Sequence, residues 1–273
     1  MPDLSLDGRR IAFREAGEGP PVVLLHCSSS HSGQWKPWMA QLSEFAQVLA
    51  PDLHGYGRSD PLPVATPWWA ADRDIVKALA DHAGQKVHVI GHSLGGAAAF
   101  YAARRYPECV ASLTTIEPVL FGLLEQIADP GFADATTISN EVWGLLEAGE
   151  DTKAAKAFTD FWSGEGTFIR LQPHQADYVV QTIARVGDDW RGLAPELPDQ
   201  IKLTEMESFH HPVHLIKGDM SRPSAQRIVD LLSERLPRSD LTVIPGADHL
   251  GAVMRPEQFI PACVAWLEQH IAS

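Results

Sequence analysis

Cysteine is scarce in this sequence of 273 residues. The three present, Cys27, Cys109 and Cys263, are too few and too scattered for a disulfide framework or a zinc site. Long apolar runs are absent too: nothing approaches the roughly 18–20 consecutive apolar residues that span a bilayer. The opening Met1-Pro2-Asp3-Leu4 has no basic stretch followed by an apolar one, so no secretory signal is expected. Positive charge is in short supply, with 22 Lys and Arg against 35 Asp and Glu, a formal net charge of −13. That balance argues against nucleic acid or an anionic membrane as the main partner, since both demand a basic face. Internal repeats and low-complexity segments are also missing. What remains is 45% hydrophobic and 21% charged, the composition of a globular chain able to bury a full core. The expectation is a reduced, cytoplasmic, soluble protein.

Short β-branched runs alternate with helical patterns through the first third of the chain. Residues 10–13, 21–26, 47–51, 86–90 and 110–116 read as strands, and 21–26 is apolar throughout, the mark of a strand buried on both faces. Residues 69–82 and 94–106 read as helices. Strand and helix in alternation mean parallel pairing with right-handed crossovers. Residues 119–210 break this pattern: they are mainly helical and rich in aromatics (Trp143, Phe158, Phe161, Trp162, Phe168, Tyr178, Trp190). Alternation then resumes, with strands at 211–217 and 241–244 and helices at 224–236 and 256–271. The organisation predicted is a doubly wound α/β core from residues 1–118 and 211–273, with 119–210 inserted as a helical cap over the carboxyl edge of the sheet.

Gly91-His92-Ser93-Leu94-Gly95 fits Gly-x-Ser-x-Gly and falls between an expected strand and an expected helix, the context that motif requires. The turn is tight enough that flanking side chains would clash. Glycines at 91 and 95 relieve the crowding and lift Ser93 above the sheet, in front of a helix N-terminus. A serine hydroxyl is a poor nucleophile at neutral pH and needs a base. His249 lies on the loop after the last expected strand, where it can reach Ser93. His92 is nearer in sequence, but neighbours on a sharp turn point apart, so it reads as packing. The pair His210-His211 precedes a strand with no other ligands beside it, and no metal or organic cofactor is expected.

Together with Gly-His-Ser-Leu-Gly-Gly at 91–96, two further motifs make the sequence resemble the α/β-hydrolase fold family over nearly its whole length. Asp52-Leu53-His54-Gly55-Tyr56-Gly57-Arg58-Ser59-Asp60 is similar to that family's Asp-x-x-Gly-x-Gly-x-Ser loop, and Pro245-Gly246-Ala247-Asp248-His249 to its histidine loop. The resemblance implies a mostly parallel, eight-stranded sheet and a Ser–His–acid triad. Members usually carry the acid a few residues beyond the next-to-last strand. Here that place reads Lys217-Gly218-Asp219-Met220-Ser221, so Ser221 holds the acid's position and Asp219 sits two residues early. A branch of the family takes the acid from the end of the strand after the nucleophile helix, which here is Ile116-Glu117-Pro118. A charge ending an apolar strand must face the cleft or be paired. Glu117 is therefore favoured over Asp219. The resemblance also implies an oxyanion hole from the backbone N–H groups of Leu94 and Ser28, with Cys27 standing where the family usually has glycine. The 52–60 loop reads as turn chemistry with Arg58 and Asp52 paired, since no Lys-Ser/Thr ending supports a phosphate cradle.

Serine at position 93 points to acyl transfer through an acyl-enzyme and away from the alkyl-enzyme chemistry of dehalogenases and epoxide hydrolases. The leading expectation is an esterase-like serine hydrolase acting on a small, largely apolar carboxylic ester. The alternatives are a carbon–carbon bond hydrolase of ring-cleavage products and a non-catalytic ligand-binding member of the fold.

Overall fold

Alternate residues along each central strand serve opposite faces of one sheet, as the two-residue repeat of β structure requires. The computed structural model describes residues 1–63, 66–191 and 199–271. Its strands are β1 (Asp3–Leu6), β2 (Arg9–Ala16), β3 (Pro21–Leu25), β4 (Gln47–Pro51), β5 (Val87–His92), β6 (Val110–Ile116), β7 (Val213–Gly218) and β8 (Ser239–Ile244). They form one eight-stranded sheet in the order β1-β2-β4-β3-β5-β6-β7-β8. β2 pairs antiparallel with both β1 and β4, and every other pairing is parallel.

The helices are α1 (Lys36–Leu42), α2 (Trp68–Ala83), α3 (Leu94–Arg105), α4 (Gly122–Gln126), α5 (Phe132–Glu147), α6 (Asp151–Ser163), α7 (Thr167–Arg170), α8 (Pro173–Arg191), α9 (Leu203–Met206), α10 (Pro223–Arg235), α11 (Gly251–Met254) and α12 (Ile260–Ile271). On β3, Val23 and Leu25 face α2, α3 and α10, joined by Val89 of β5 and Leu215 of β7. Val22 and Leu24 face the other way, with Ile90 and Ile216, toward α1 and α12. β3 is buried and apolar on both of its faces, which is why it reads as a continuous hydrophobic run. α4 to α9 lie between β6 and β7 in sequence. Within them α5, α6 and α8 pack on one another and join the same apolar cluster as α2 and α3.

Three features differ from the pattern read in the sequence. β1 is a four-residue edge strand whose side chains are exposed or half-buried, so it carries no hydrophobic signature. α1 had no counterpart among the expected helices. The closing helix begins at Ile260, after a separate 3-10 turn at Pro256–Gln258. Pro261 lacks an N–H and its ring would clash with the carbonyl four residues back, so it is tolerated only in a first helical turn. Residues 64–65, 192–198 and 272–273 of the expected segments lie outside the described residues. Among those described, no helix is long and apolar enough to cross a membrane.

Candidate active site

The link from β5 to α3 is a single residue. Ser93 has φ 55° and ψ −114°, a backbone region that side chains other than glycine rarely occupy. The turn is held by the Ser93 N–H donating to the Ile116 carbonyl at 2.9 Å and by the Ser93 carbonyl accepting from Ala97 N–H at 3.0 Å. A Cβ at position 95 would lie 2.2 Å from the Leu25 carbonyl oxygen, and one at 91 would lie 2.4 Å from that of Gly95. Only glycine permits β3, β5 and α3 to converge this closely.

Three loops at the carboxyl ends of β5, β6 and β8 deliver three side chains to one point. Ser93, Glu117 and His249 are each no more than 4% exposed. The Nε2 of His249 lies 3.0 Å from Ser93 Oγ, and its Nδ1 lies 2.6 Å from Glu117 Oε2. A carboxylate accepts, so Nδ1–H donates to Glu117 and the unprotonated Nε2 accepts the Ser93 O–H. Glu117 also adopts a positive φ, 45°, directly after β6. Its second oxygen, Oε1, accepts from Gly218 N–H at 2.7 Å and from Ser221 Oγ–H at 2.5 Å. Ser221 thus stands at the usual position of the acid and supports a carboxylate supplied from β6. Asp219 is exposed and turned away; its Oδ1 accepts from Gly246 N–H at 2.6 Å and braces the loop that carries His249.

Ser28 and Leu94 line the cavity beside Ser93. Leu94 is the first residue of α3, where backbone N–H groups have no intrahelical partner. Cys27 N–H donates to Gln34 Oε1 at 3.3 Å, as does its thiol at the same distance. Burial pushes that thiol up to about 12, so it stays protonated. Gln34 Nε2–H in turn donates to His92 Nδ1 at 3.2 Å, and His92 Nε2–H donates to the His249 carbonyl at 2.9 Å. Burial, and next the neighbouring His249, drives His92 well below the usual histidine range, so the ring holds one proton, as this arrangement needs. His92 is therefore more than packing: it joins the loop before Ser28 to the loop that carries His249. Trp162 of α6 lies parallel to His249, with ring centroids 3.9 Å apart.

Other sequence expectations resolve differently. Asp52 takes the Arg58 backbone N–H at 2.9 Å and that of Ser32 at 2.7 Å; both contacts brace backbone. His211 Nε2–H donates to the Pro107 carbonyl at 3.1 Å, away from the site. No group of three or more His, Cys, Asp or Glu side chains among the described residues is arranged to hold a metal. Gln34 and Trp162 carried no motif; the one available signal was Ser221, a serine in an acid's place.

A family model for the alpha/beta hydrolase fold matches residues 20–255. The chain belongs to that family. Among its hydrolase relatives is a 2-(acetamidomethylene)succinate hydrolase of Mesorhizobium japonicum, 26% identical over 93% of this chain and 90% of that protein. A pimeloyl-[acyl-carrier protein] methyl ester esterase of Nitrosomonas europaea is 23% identical over 92% of this chain and 96% of its own length. A thermophilic esterase from Thermogutta terrifontis shares the fold with a TM-score of 0.74, at 24% identity over 96% of this chain and 94% of that one.

Proposed function

We propose that this hydrolase cleaves a small, largely apolar carboxylic ester through an acyl-enzyme, with Ser93 as nucleophile, His249 as base and Glu117 as the orienting acid. The reading is carried by the unbroken chain Ser93 Oγ–H···Nε2–His249–Nδ1–H···Glu117, buried at the floor of a ring-walled cavity. Ser93 Oγ attacks the ester carbonyl while its proton passes to His249 Nε2. The carbonyl oxygen becomes an oxyanion received by the N–H groups of Leu94 and Ser28, a pair in which one donor is worth about 2.7–4 kcal/mol. His249 then protonates the leaving alkoxide. Water, deprotonated by the same nitrogen, attacks the acyl carbon; the acyl–Oγ bond then breaks, freeing the acid, and His249 returns the proton to Ser93 Oγ. Glu117 keeps Nδ1 protonated and stabilises the imidazolium that forms at each step.

The inserted helices act as a cap in this reading, since α6 and α8 bring Phe158, Trp162, Asp189 and Trp190 over Ser93. Two of the relatives that match over nearly the whole chain are hydrolases by name, one of them a methyl ester esterase, which supports ester cleavage over ligand binding alone. The test is reaction with a fluorophosphonate probe followed by peptide mapping. A stoichiometric adduct on Ser93, lost in His249→Ala, is the expected result. A folded protein that forms no adduct refutes the nucleophile assignment.

A further inference from the structure

Of the described residues that line the cavity beside Ser93, one carries an acidic or basic side chain: Asp189 of α8. Its neighbours on the wall are aromatic, with Phe158, Trp162 and Trp190 from the same inserted helices and Trp68 from α2. Asp189 is fixed from behind. Its Oδ2 accepts from Tyr56 O–H at 2.6 Å, its backbone carbonyl accepts from Trp68 Nε1–H at 2.8 Å, and its Oδ1 pairs with Arg185. Arg185 is not part of the cavity wall. Its Nη2 turns instead to a second buried carboxylate, Asp72, 3.7 Å away. Arg185 is thus placed between two acids, and Asp72 is also held by His54, whose Nδ1 lies 2.9 Å from its Oδ1, so Asp189 reaches the cavity wall while its cation stays behind it. Asp189 is 2% exposed, and this burial, against the pull of Arg185, raises its carboxyl to about 7, so its negative charge is fully present only above that pH.

A group that enters such a cavity leaves its water behind. A carboxylate would meet Asp189 and aromatic ring faces with no described cation on the wall, which sets like charge beside like charge in a dry place. An ammonium would meet a carboxyl and several π faces, the surroundings that recognise organic cations. An alkyl terminus would meet the rings alone. We propose that this cavity sorts ester substrates by charge, with Asp189 setting the sign: it takes a short acyl chain ending in an ammonium or a methyl group and rejects the chain ending in a carboxylate. The proposal rests on the reading of Ser93 as the nucleophile.

Three nearly isosteric substrates test it: ethyl pentanoate, the ethyl ester of 4-aminobutanoic acid, and the monoethyl ester of butanedioic acid, with acid release followed in a pH-stat held at about pH 8, where Asp189 is ionised. The expected kcat/KM for the carboxylate ester is at least about 100-fold below that for the pentanoate, with the ammonium ester equal to or above the pentanoate. Asp189→Asn is expected to shrink the ammonium-to-carboxylate ratio at least about tenfold, each value normalised to pentanoate in the same variant. If that variant does not fold, the native series decides alone: a carboxylate ester cleaved within a few-fold of pentanoate overturns the proposal. A second readout separates the two readings. Calorimetric titration of Ser93→Ala with the charged esters should detect the ammonium ester and not the carboxylate ester. That result without turnover of any ester by the native protein would uphold the charge preference and refute the hydrolytic mechanism. Binding of the carboxylate ester as tightly as the ammonium ester, or of neither, refutes the charge preference.

Discussion

Glu117→Gln changes the site by moving one proton. In the native arrangement Oε1 of Glu117 receives two donors, Gly218 N–H at 2.7 Å and Ser221 Oγ–H at 2.5 Å, while Oε2 receives the Nδ1–H of His249 at 2.6 Å. Glutamine has the same shape but a single acceptor oxygen. Two donors on one side against one on the other hold that oxygen in the place of Oε1, because the reverse orientation would press an NH₂ group against the Gly218 N–H. The amide NH₂ then faces His249 Nδ1, which must accept, and the ring proton shifts to Nε2, opposite Ser93 Oγ. In that tautomer His249 cannot take the serine proton. A carboxylate-to-amide change of this kind in a serine-protease triad lowers kcat about 10⁴-fold. At about 1.36 kcal/mol per factor of ten, that is about 5.4 kcal/mol of lost transition-state stabilisation. The expected result is a kcat for ester hydrolysis down by about this factor, with KM and the thermal midpoint close to native. Steady-state turnover on ethyl pentanoate, with circular dichroism melting as the control for folding, measures both. A folded variant whose kcat stays within about tenfold of native would refute the role assigned to Glu117.

Asp219→Asn keeps an oxygen for Gly246 N–H and touches none of the reacting groups, so kcat should stay within about twofold of native and stability within about 0.5 kcal/mol; a crippled variant would move the acid to position 219. Gln34→Leu leaves Cys27 N–H and His92 Nδ1 without their partner, which should lower stability in urea by about 1–3 kcal/mol. Its effect on kcat should not exceed about 10²–10³, the worth of a whole oxyanion donor, and an unchanged kcat would show that the Cys27 loop does not hold Ser28 in place. His26, His88 and His214 are each lowered by burial to about 4 from 6.5, so between those values the unfolded chain takes up protons that the fold refuses. Stability should therefore rise with pH across this window and fall on acidification. The urea midpoint measured from pH 4 to 6.5 checks the slope, and His88→Gln should reduce it; a flat midpoint contradicts the shifts.

What the sequence revealed depended on how local the physics was. The Gly91–Gly95 crowding and the apolar run of β3 follow from backbone sterics and two-sided burial, and both were visible in a few consecutive letters. Glu117 was visible as a charge ending a buried strand, and the structure brings it to His249 while leaving Asp219 outside. β1 escaped because an exposed edge strand of four residues has no periodic face. The bond from Gln34 to His92 spans 58 residues of sequence, and that from Tyr56 to Asp189 spans 133. Nothing in either segment announces its partner. Trp162 and Trp143 looked alike as aromatic letters in the inserted helices, yet only Trp162 lies against His249 and the cavity.

His92 has a consequence for motion. It sits between the Cys27 loop and the His249 loop, reaching one through Gln34 and the other through its own Nε2–H, while its backbone runs straight into Ser93. Loops at a sheet edge ordinarily open one at a time and at their own rates. Here an excursion that carries Gln34 and His92 away together frees the Cys27 amide and uncovers the His249 carbonyl, so the backbone amides of the two loops should exchange with solvent as one cooperative unit. Partial opening would then leave no half-assembled site: the Ser93 turn, the Cys27 loop and the His249 loop come apart together or stay closed together.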